Sequence, residues 1–138
     1  MRFNRLVPEL YCSDFERSLS FYTKTLGFAV RYARPEERFA FLDREGAQIM
    51  IEQPSGDGRA WLAGELAYPY GRGINLEIEV SDVASLYSAV VAAGCRILVP
   101  LEDKWYRTGA PKGGNRQFVV LDPDGYLLRF AQDLGERA

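Results

Sequence analysis

One stretch constrains the chain more than any other: Phe118–Gln132, reading FVVLDPDGYLLRFAQ. Two apolar runs flank Asp122-Pro123-Asp124-Gly125, an order that suits a type I turn. Asp accepts a local backbone bond, Pro presets φ, and Gly takes the left-handed position that follows. The stretch predicts a β-hairpin. The same shape returns at Phe39–Gln53 as FAFLDREGAQIMIEQ, with Phe39 falling on Phe118, Leu42 on Leu121, Asp43 on Asp122, Gly46 on Gly125 and Gln53 on Gln132. A hairpin repeated at this distance indicates two similar modules.

The segments before each hairpin repeat as well. Residues 5–12 (RLVPELYC) read as a strand, with Pro8 at an edge or a strand start. Ser13-Asp14 supplies an N-cap, Phe15, Leu19, Tyr22 and Leu26 fall on one helical face, and Gly27 stops the helix. Phe28–Ala33 reads as a second strand, Pro35-Glu36-Glu37 as a turn and Arg38–Gln53 as the hairpin. In the second half Ile74–Val80 is a strand. Asp82 caps a helix through Val83, Leu86, Tyr87 and Val90, and Gly94 ends it. Cys95–Val99 is a strand, and Pro100–Asn115 reads as a Gly- and Pro-containing loop before the last hairpin. Tyr22 and Tyr87 are expected in the helix–sheet core.

The expected fold is therefore α+β: two repeated βαβββ modules forming a curled mixed sheet, with helices on the convex side and a concave binding crevice. With 138 residues the chain is expected to be one domain. Module one covers about 1–53 and module two 73–138. The connection 54–72 is rich in Gly and Pro and long for a compact domain, so it is a linker, a binding loop, or both.

Composition excludes several classes of function. Net charge is −2, with no basic stripe to neutralise phosphates, so no nucleic-acid partner is expected. No apolar run approaches the roughly 18 residues of a membrane span, and MRFNRLVPEL lacks a signal-peptide core, so a cytoplasmic location with no membrane partner is expected. Cys12 and Cys95 lie far apart in apolar contexts and read as buried thiols, with a disulfide or a nucleophile as the alternatives. The chain has no histidine.

Period-two alternation assigns the hollow face. In Ile74–Val80 the apolar Leu76, Ile78 and Val80 turn to the helix, leaving Asn75, Glu77 and Glu79 opposite. In the first strand Leu10 and Cys12 turn inward, leaving Val7, Glu9 and Tyr11. Met50 and Glu52 share a face in one hairpin and correspond to Arg129 and Ala131 in the other. The hollow is thus expected to be lined by carboxylates, which in a concavity focus their field on a cation. Trp61, Tyr68, Tyr70, Trp105 and Tyr106 lie in the Gly/Pro-rich connections. Flat rings there stack on aromatic groups and attract cations, or else pack as lids over a sheet edge or at a subunit interface.

The pattern D-x-x-x-S-x-x-F-Y-x-x-x-L-G-F at Asp14, Ser18, Phe21, Tyr22, Leu26, Gly27 and Phe28, with DPDG at Asp122–Gly125, resembles the glyoxalase/bleomycin-resistance/extradiol-dioxygenase family, the vicinal-oxygen-chelate fold. Enzymes of that family hold a divalent metal with one residue from the first strand and one from the last hairpin strand of each module. Those positions fall here at Val7, Met50, Asn75 and Arg129. The set is poor in metal donors, so no metal and no cofactor is expected. The closing segment GNRQFVVLDPDGYLLRF is similar to the metal-free, bleomycin-resistance branch, with Arg116 and Phe118 falling on its Arg and Phe. That branch commonly carries a Trp where this chain has Gly114, and Trp105 or Tyr106 is the candidate replacement.

The resemblance implies a protein that binds and sequesters a bulky aromatic, cationic antibiotic-like molecule without chemistry, in a crevice completed by a homodimer. Glu9, Glu52, Glu77 and Glu79 would meet the cation, and Tyr11, Trp61, Tyr68, Trp105, Tyr106 and Phe118 would supply rings. Asn75 and Arg129 would hydrogen-bond, and Arg116 is counted among the ligand-binding residues. The alternative is an enzyme of the same fold, a lyase, isomerase or oxygenase, with no catalytic residue assignable from the sequence.

Overall fold

The computed structural model describes residues 2–56, 60–107 and 112–137. The chain divides into two compact units, Met1–Tyr70 and Gly71–Ala138. Residues 57–59 of the expected connection, and 108–111 of the second expected loop, lie outside the described residues.

The first unit runs β1 (Glu9–Tyr11), α1 (Phe15–Ser20), β2 (Ala29–Arg34), β3 (Phe39–Arg44) and β4 (Ala47–Glu52). The second runs β5 (Asn75–Glu79), α2 (Val83–Ala92), β6 (Ile97–Tyr106), β7 (Lys112–Leu121) and β8 (Leu127–Arg137). The strand orders are β1-β4-β3-β2 and β5-β8-β7-β6, with the first strand parallel to the last and the other pairs antiparallel. Both units are therefore βαβββ modules and the fold is α+β, as the internal repeat implies. The repeat extends to register. Glu9 faces Met50 across β1–β4, and Glu77 faces Arg129 across β5–β8. One residue past the end of β1 and of β5, Cys12 N–H donates to Glu52 C=O and Val80 N–H to Ala131 C=O, both at 2.9 Å.

Local chemistry sets the helices. Asp14 accepts from Arg17 N–H at 3.2 Å, and Asp82 from Ser85 N–H at 3.1 Å and the Ser85 hydroxyl at 2.7 Å, each answering an orphan donor of the first turn. After Ser20 the first helix widens into a π turn over Phe21–Thr25, with Leu26 N–H reaching back to Phe21 C=O. Gly27, at φ +80°, stops it. The inner face of α1 buries Phe15 and Ser18, continuing to Tyr22 in the π turn and Leu26 at its end, whereas the expected Leu19 is only half-buried. Val83, Leu86 and Val90 are buried in α2. The ring of Tyr87 packs 5.1 Å from that of Phe118. The cores are closed by Leu10, Leu42, Ile49 and Ile51 in one unit and by Ile78, Val120, Leu128 and Phe130 in the other.

The turns follow their residues. Gly125 N–H donates to Asp122 C=O at 3.0 Å, while the Asp122 carboxylate accepts from Asp124 and Tyr126 N–H, both at 2.9 Å. Asp43 plays the same part in the first hairpin, accepting from Gly46 N–H at 3.2 Å.

Two spans differ from expectation. The first strand is laddered only from Glu9 to Tyr11, because Pro8 contributes its carbonyl to Met50 N–H but has no N–H to give. The expected loop 100–115 is mostly hairpin: β6 continues to Tyr106, and β7 begins at Lys112. Pro100 is tolerated because β6 is an edge strand and its register with β7 shifts between Val99 and Glu102. Neither Cys12 nor Cys95 is in a disulfide, and burial pushes the Cys95 thiol above its usual pKa.

Candidate functional site

In the first unit cross-strand pairing brings four rows of side chains onto one face. Glu9 and Tyr11 of β1 face Met50 and Glu52 of β4. These face Phe41 and Phe39 of β3, which face Tyr32 and Arg34 of β2. The face is acidic at one edge and aromatic across its middle. The Tyr32 and Phe41 rings stack at 5.2 Å with 15° between planes, and Phe3 meets Phe41 edge-on at 5.2 Å. The Arg34 guanidinium lies 4.0 Å above the centroid of Phe39 and also pairs with Glu37. The Glu9 carboxyl is held above its usual range, first by burial and then by the neighbouring Glu52 charge, with Arg34 opposing both. Tyr11 is buried, and its hydroxyl accepts from Trp61 N–H at 3.0 Å. Trp61 and Tyr68 are exposed. A cavity of about 400 Å³ borders this face, lined by Glu37, Arg38, Glu52 and Gln53 among others.

In the second unit the equivalent face is polar. Glu77 faces Arg129, which faces Val119, while Glu79 faces Ala131, which faces Gln117, which faces Glu102. The Arg129 guanidinium approaches Glu77 at 3.5 Å, and Asn115 Nδ2 donates to Glu77 at 3.3 Å. Gln117 Nε2 donates to Glu102 at 3.1 Å and to the Tyr106 hydroxyl at 2.8 Å. A cavity of about 380 Å³ is lined by Glu77, Glu79, Tyr106, Asn115, Ala131 and Asp133, with Gly113 and Gly114. Asn75 and Arg129 line a separate cavity of about 320 Å³ with Leu98, Val119 and Leu127.

Of the residues singled out in the sequence, Glu9, Tyr11 and Glu52 share the first face, and Asn75, Glu77, Glu79, Tyr106 and Arg129 share the second. Trp105, Arg116 and Phe118 occupy the alternate positions of their strands. Phe118 is fully buried between Tyr87 and Phe130, so it is core beneath α2 rather than a residue of the sheet's open face. Arg116 is engaged by Asp103 at 2.8 and 3.2 Å, which holds the Asp103 carboxyl below its usual pKa. Trp105 lies directly over Gly114. A Cβ at Gly114 would stand 2.5 Å from ring carbons Cε3 and Cζ3, so the indole fills the space where a side chain at 114 would begin.

Sequence reasoning passed over Tyr32, Arg34, Phe39, Phe41 and Gln117. Phe39 and Phe41 alternate with Ala40 and Leu42 on a strand apolar on both faces, so periodicity does not say which ring faces where. The signal available was the hairpin itself, whose turn fixes Phe41 opposite Met50 and Phe39 opposite Glu52.

The four positions that the resemblance assigns to a metal carry Val7, Met50, Asn75 and Arg129. A hydrocarbon, a thioether, a carboxamide and a guanidinium do not make a donor set for a hard divalent ion, and Arg129 adds positive charge where the ion would sit. Among the described residues no group of three or more His, Cys, Asp or Glu is placed to hold a metal ion.

This architecture defines a class. The sequence model of the glyoxalase/bleomycin resistance protein/dioxygenase superfamily matches residues 2–130, and the chain belongs to that superfamily. Among its relatives are bleomycin resistance proteins from Geobacillus stearothermophilus and Staphylococcus aureus, each 29% identical over 93% of this chain and 96% of the relative. Among solved structures, TioX from Micromonospora sp. ML1 is 26% identical over 96% of this chain and all of its own, with a TM-score of 0.71. A protein of unknown function from Agrobacterium tumefaciens is 26% identical over 97% of this chain and 95% of its own, with a TM-score of 0.68. Among the described residues no helix is long and apolar enough to cross a membrane.

Proposed function

We propose that this protein binds and sequesters an aromatic, cationic, antibiotic-like small molecule without altering it, in the manner implied by the name of its bleomycin-resistance relatives. The observation that carries the reading is Arg34. Its guanidinium rests 4.0 Å above the Phe39 ring, on a face that also holds Glu9 and Glu52, so the sheet already accommodates a planar cation on an aromatic surface beside carboxylates. A ligand cation would find the same chemistry there, and its rings would stack on loop aromatics such as Trp61 and Tyr68. Glu77 and Glu79 would extend the acidic lining, and a homodimer would complete the crevice, with no nucleic acid or membrane as partner. The donor chemistry at Val7, Met50, Asn75 and Arg129 favours holding over metal-assisted transformation.

A second reading, a metal-free acid–base enzyme of the same fold, draws support from the raised pKa of Glu9, since displaced carboxyl pKa values concentrate at reactive sites.

Calorimetric titration with bleomycin and with unrelated aromatic cations, followed by mass spectrometry of the recovered ligand, tests both. Saturable binding with the ligand returned unchanged supports sequestration. Recovery of a modified ligand overturns it in favour of the enzyme, and the absence of binding by any aromatic cation overturns it outright.

A further inference from the structure

The seat that a ligand cation would need in the first unit is already taken by a residue of the chain. Phe39 shares a face with Glu9 and Glu52, yet its ring is only 2% exposed. The Arg34 guanidinium stands 4.0 Å above its centroid, and Tyr32 is tilted against it at 5.8 Å. The same guanidinium is 5.9 Å from the Tyr32 centroid, and its charge acts on the Glu9 carboxyl. Arg34 thus makes, from within the chain, the aromatic and acidic contacts that a free cation would make.

Of these two covers, Arg34 is the one free to move. Tyr32 is also stacked on Phe41 at 5.2 Å and met edge-on by Phe3 at 6.3 Å. Arg34 is the last residue of β2, and its side chain is 43% exposed. Its ionic partner is Glu37, three residues along and itself 54% exposed. Ion pairs this open to water contribute little, so little holds the guanidinium down beyond the ring beneath it. Space lies beside the seat. The cavity of about 400 Å³ that borders this face carries Glu37 and Glu52 on its wall, and its volume suits a small molecule.

We propose that Arg34 is a tethered competitor for this site: it seats its own guanidinium on Phe39, and a ligand cation binds by lifting it off. The inference rests on the small-molecule reading above and deepens it, because Arg34 then decides which cations enter. A guanidinium is planar and weakly hydrated. A ligand displaces it when its own charge is delocalised and carried on a ring that stacks on Phe39, whereas a small, strongly hydrated ammonium gains too little from the ring to do so.

Three probes test it by NMR-detected titration of the whole protein: 1-methylquinolinium, a flat delocalised cation; quinoline, its neutral counterpart near pH 7; and methylammonium. Arg34→Ala is expected to bind 1-methylquinolinium about tenfold more tightly than the wild type. The gain is expected to persist at about 1 M salt, where repulsion by a distant charge is screened. In the wild type the Arg34 side-chain protons, shielded by the Phe39 ring, are expected to move toward ordinary shifts as 1-methylquinolinium saturates and to stay in place with methylammonium. Binding by Arg34→Ala no tighter than by the wild type, or a gain lost at high salt, overturns the competitor. Saturation of the wild type with the Arg34 protons unmoved overturns it as well, and methylammonium moving them as readily overturns the selection. All of these leave the cation reading standing. That reading fails, and takes the competitor with it, if neither protein prefers 1-methylquinolinium to quinoline. If Arg34→Ala does not fold, the wild-type shifts decide alone.

Discussion

Gln53 and Gln132 occupy matching places in the repeat and do the same work. Each accepts, through its side-chain oxygen, the N–H of the first helical residue in its own unit, from Phe15 at 2.8 Å and from Val83 at 3.1 Å. Gln53, just past the end of β4, and Gln132, within β8, thereby each tie down a helix that begins thirty or more residues earlier in the chain.

Removing either tie leaves one more orphan N–H in a first turn. Gln53→Ala and Gln132→Ala are each expected to lower stability by about 1 kcal/mol in urea denaturation, and Gln→Glu at either place to lose less, since the carboxylate still accepts and suits the helix N-terminus.

Phe118 is core. Phe118→Ala is expected to cost about 3–5 kcal/mol by the same assay. Phe118→Leu, which keeps most of the volume, is expected to fold and to bind the ligand with unchanged affinity, a result checked by calorimetry.

Gly114 has no room for a side chain. Gly114→Ala is expected to destabilise by about 1–3 kcal/mol through overpacking against the indole, and Trp105→Ala to relieve that penalty when combined with it. A double-mutant cycle of unfolding free energies measures the coupling.

Glu9 is predicted to be costly to the fold at neutral pH. Its folded pKa is raised above 4.5, so its contribution favours folding at and below that value and is lost as pH rises through the folded pKa. Glu9→Gln is therefore expected to be more stable than the wild type near pH 7, with the difference shrinking as pH falls toward 4.5. The same substitution is expected to weaken binding of an aromatic cation by about tenfold, read by calorimetry.

Asp43 behaves in the opposite way. The Gln48 amide at 2.9 Å, the Gly46 N–H and Arg31 hold its carboxyl below 3.8, so it stabilises the fold above that pH and ceases to do so as pH falls through the lowered value. Gln48→Leu is expected to cost about 1–3 kcal/mol at neutral pH, an effect that diminishes in acid denaturation below about pH 3.8.

The fold was legible because it is written twice. DPDG and DREG mark the turns and Asp14 and Asp82 the helix starts; the helix starts lie 68 residues apart and the turns 79, the difference falling where the second unit carries its longer β6–β7 hairpin. The ends of the last hairpin were not legible. Pro100, Gly113 and Gly114 are loop residues by local chemistry, and pairing with a neighbouring strand overrode that preference at an edge able to shift register. The carboxylates could be placed on faces by alternation, since β5 is apolar on one side only. Phe118 could not be distinguished from a ligand-stacking ring, because Phe118–Leu121 is apolar at four successive positions and alternation does not say which side of the sheet each takes. Gln117 was invisible because the partners it holds, the Glu102 carboxylate and the Tyr106 hydroxyl, lie on a strand that local chemistry reads as a loop.

The indole over Gly114 belongs to the neighbouring strand, so this chain keeps an aromatic volume beside the position where the bleomycin-resistance resemblance would place a Trp. Comparison column by column scores that as a loss, whereas superposition of occupied space does not. Searches that weigh the space a side chain fills, rather than the rank at which it occurs, will gather sequences that an aromatic-at-one-position filter discards.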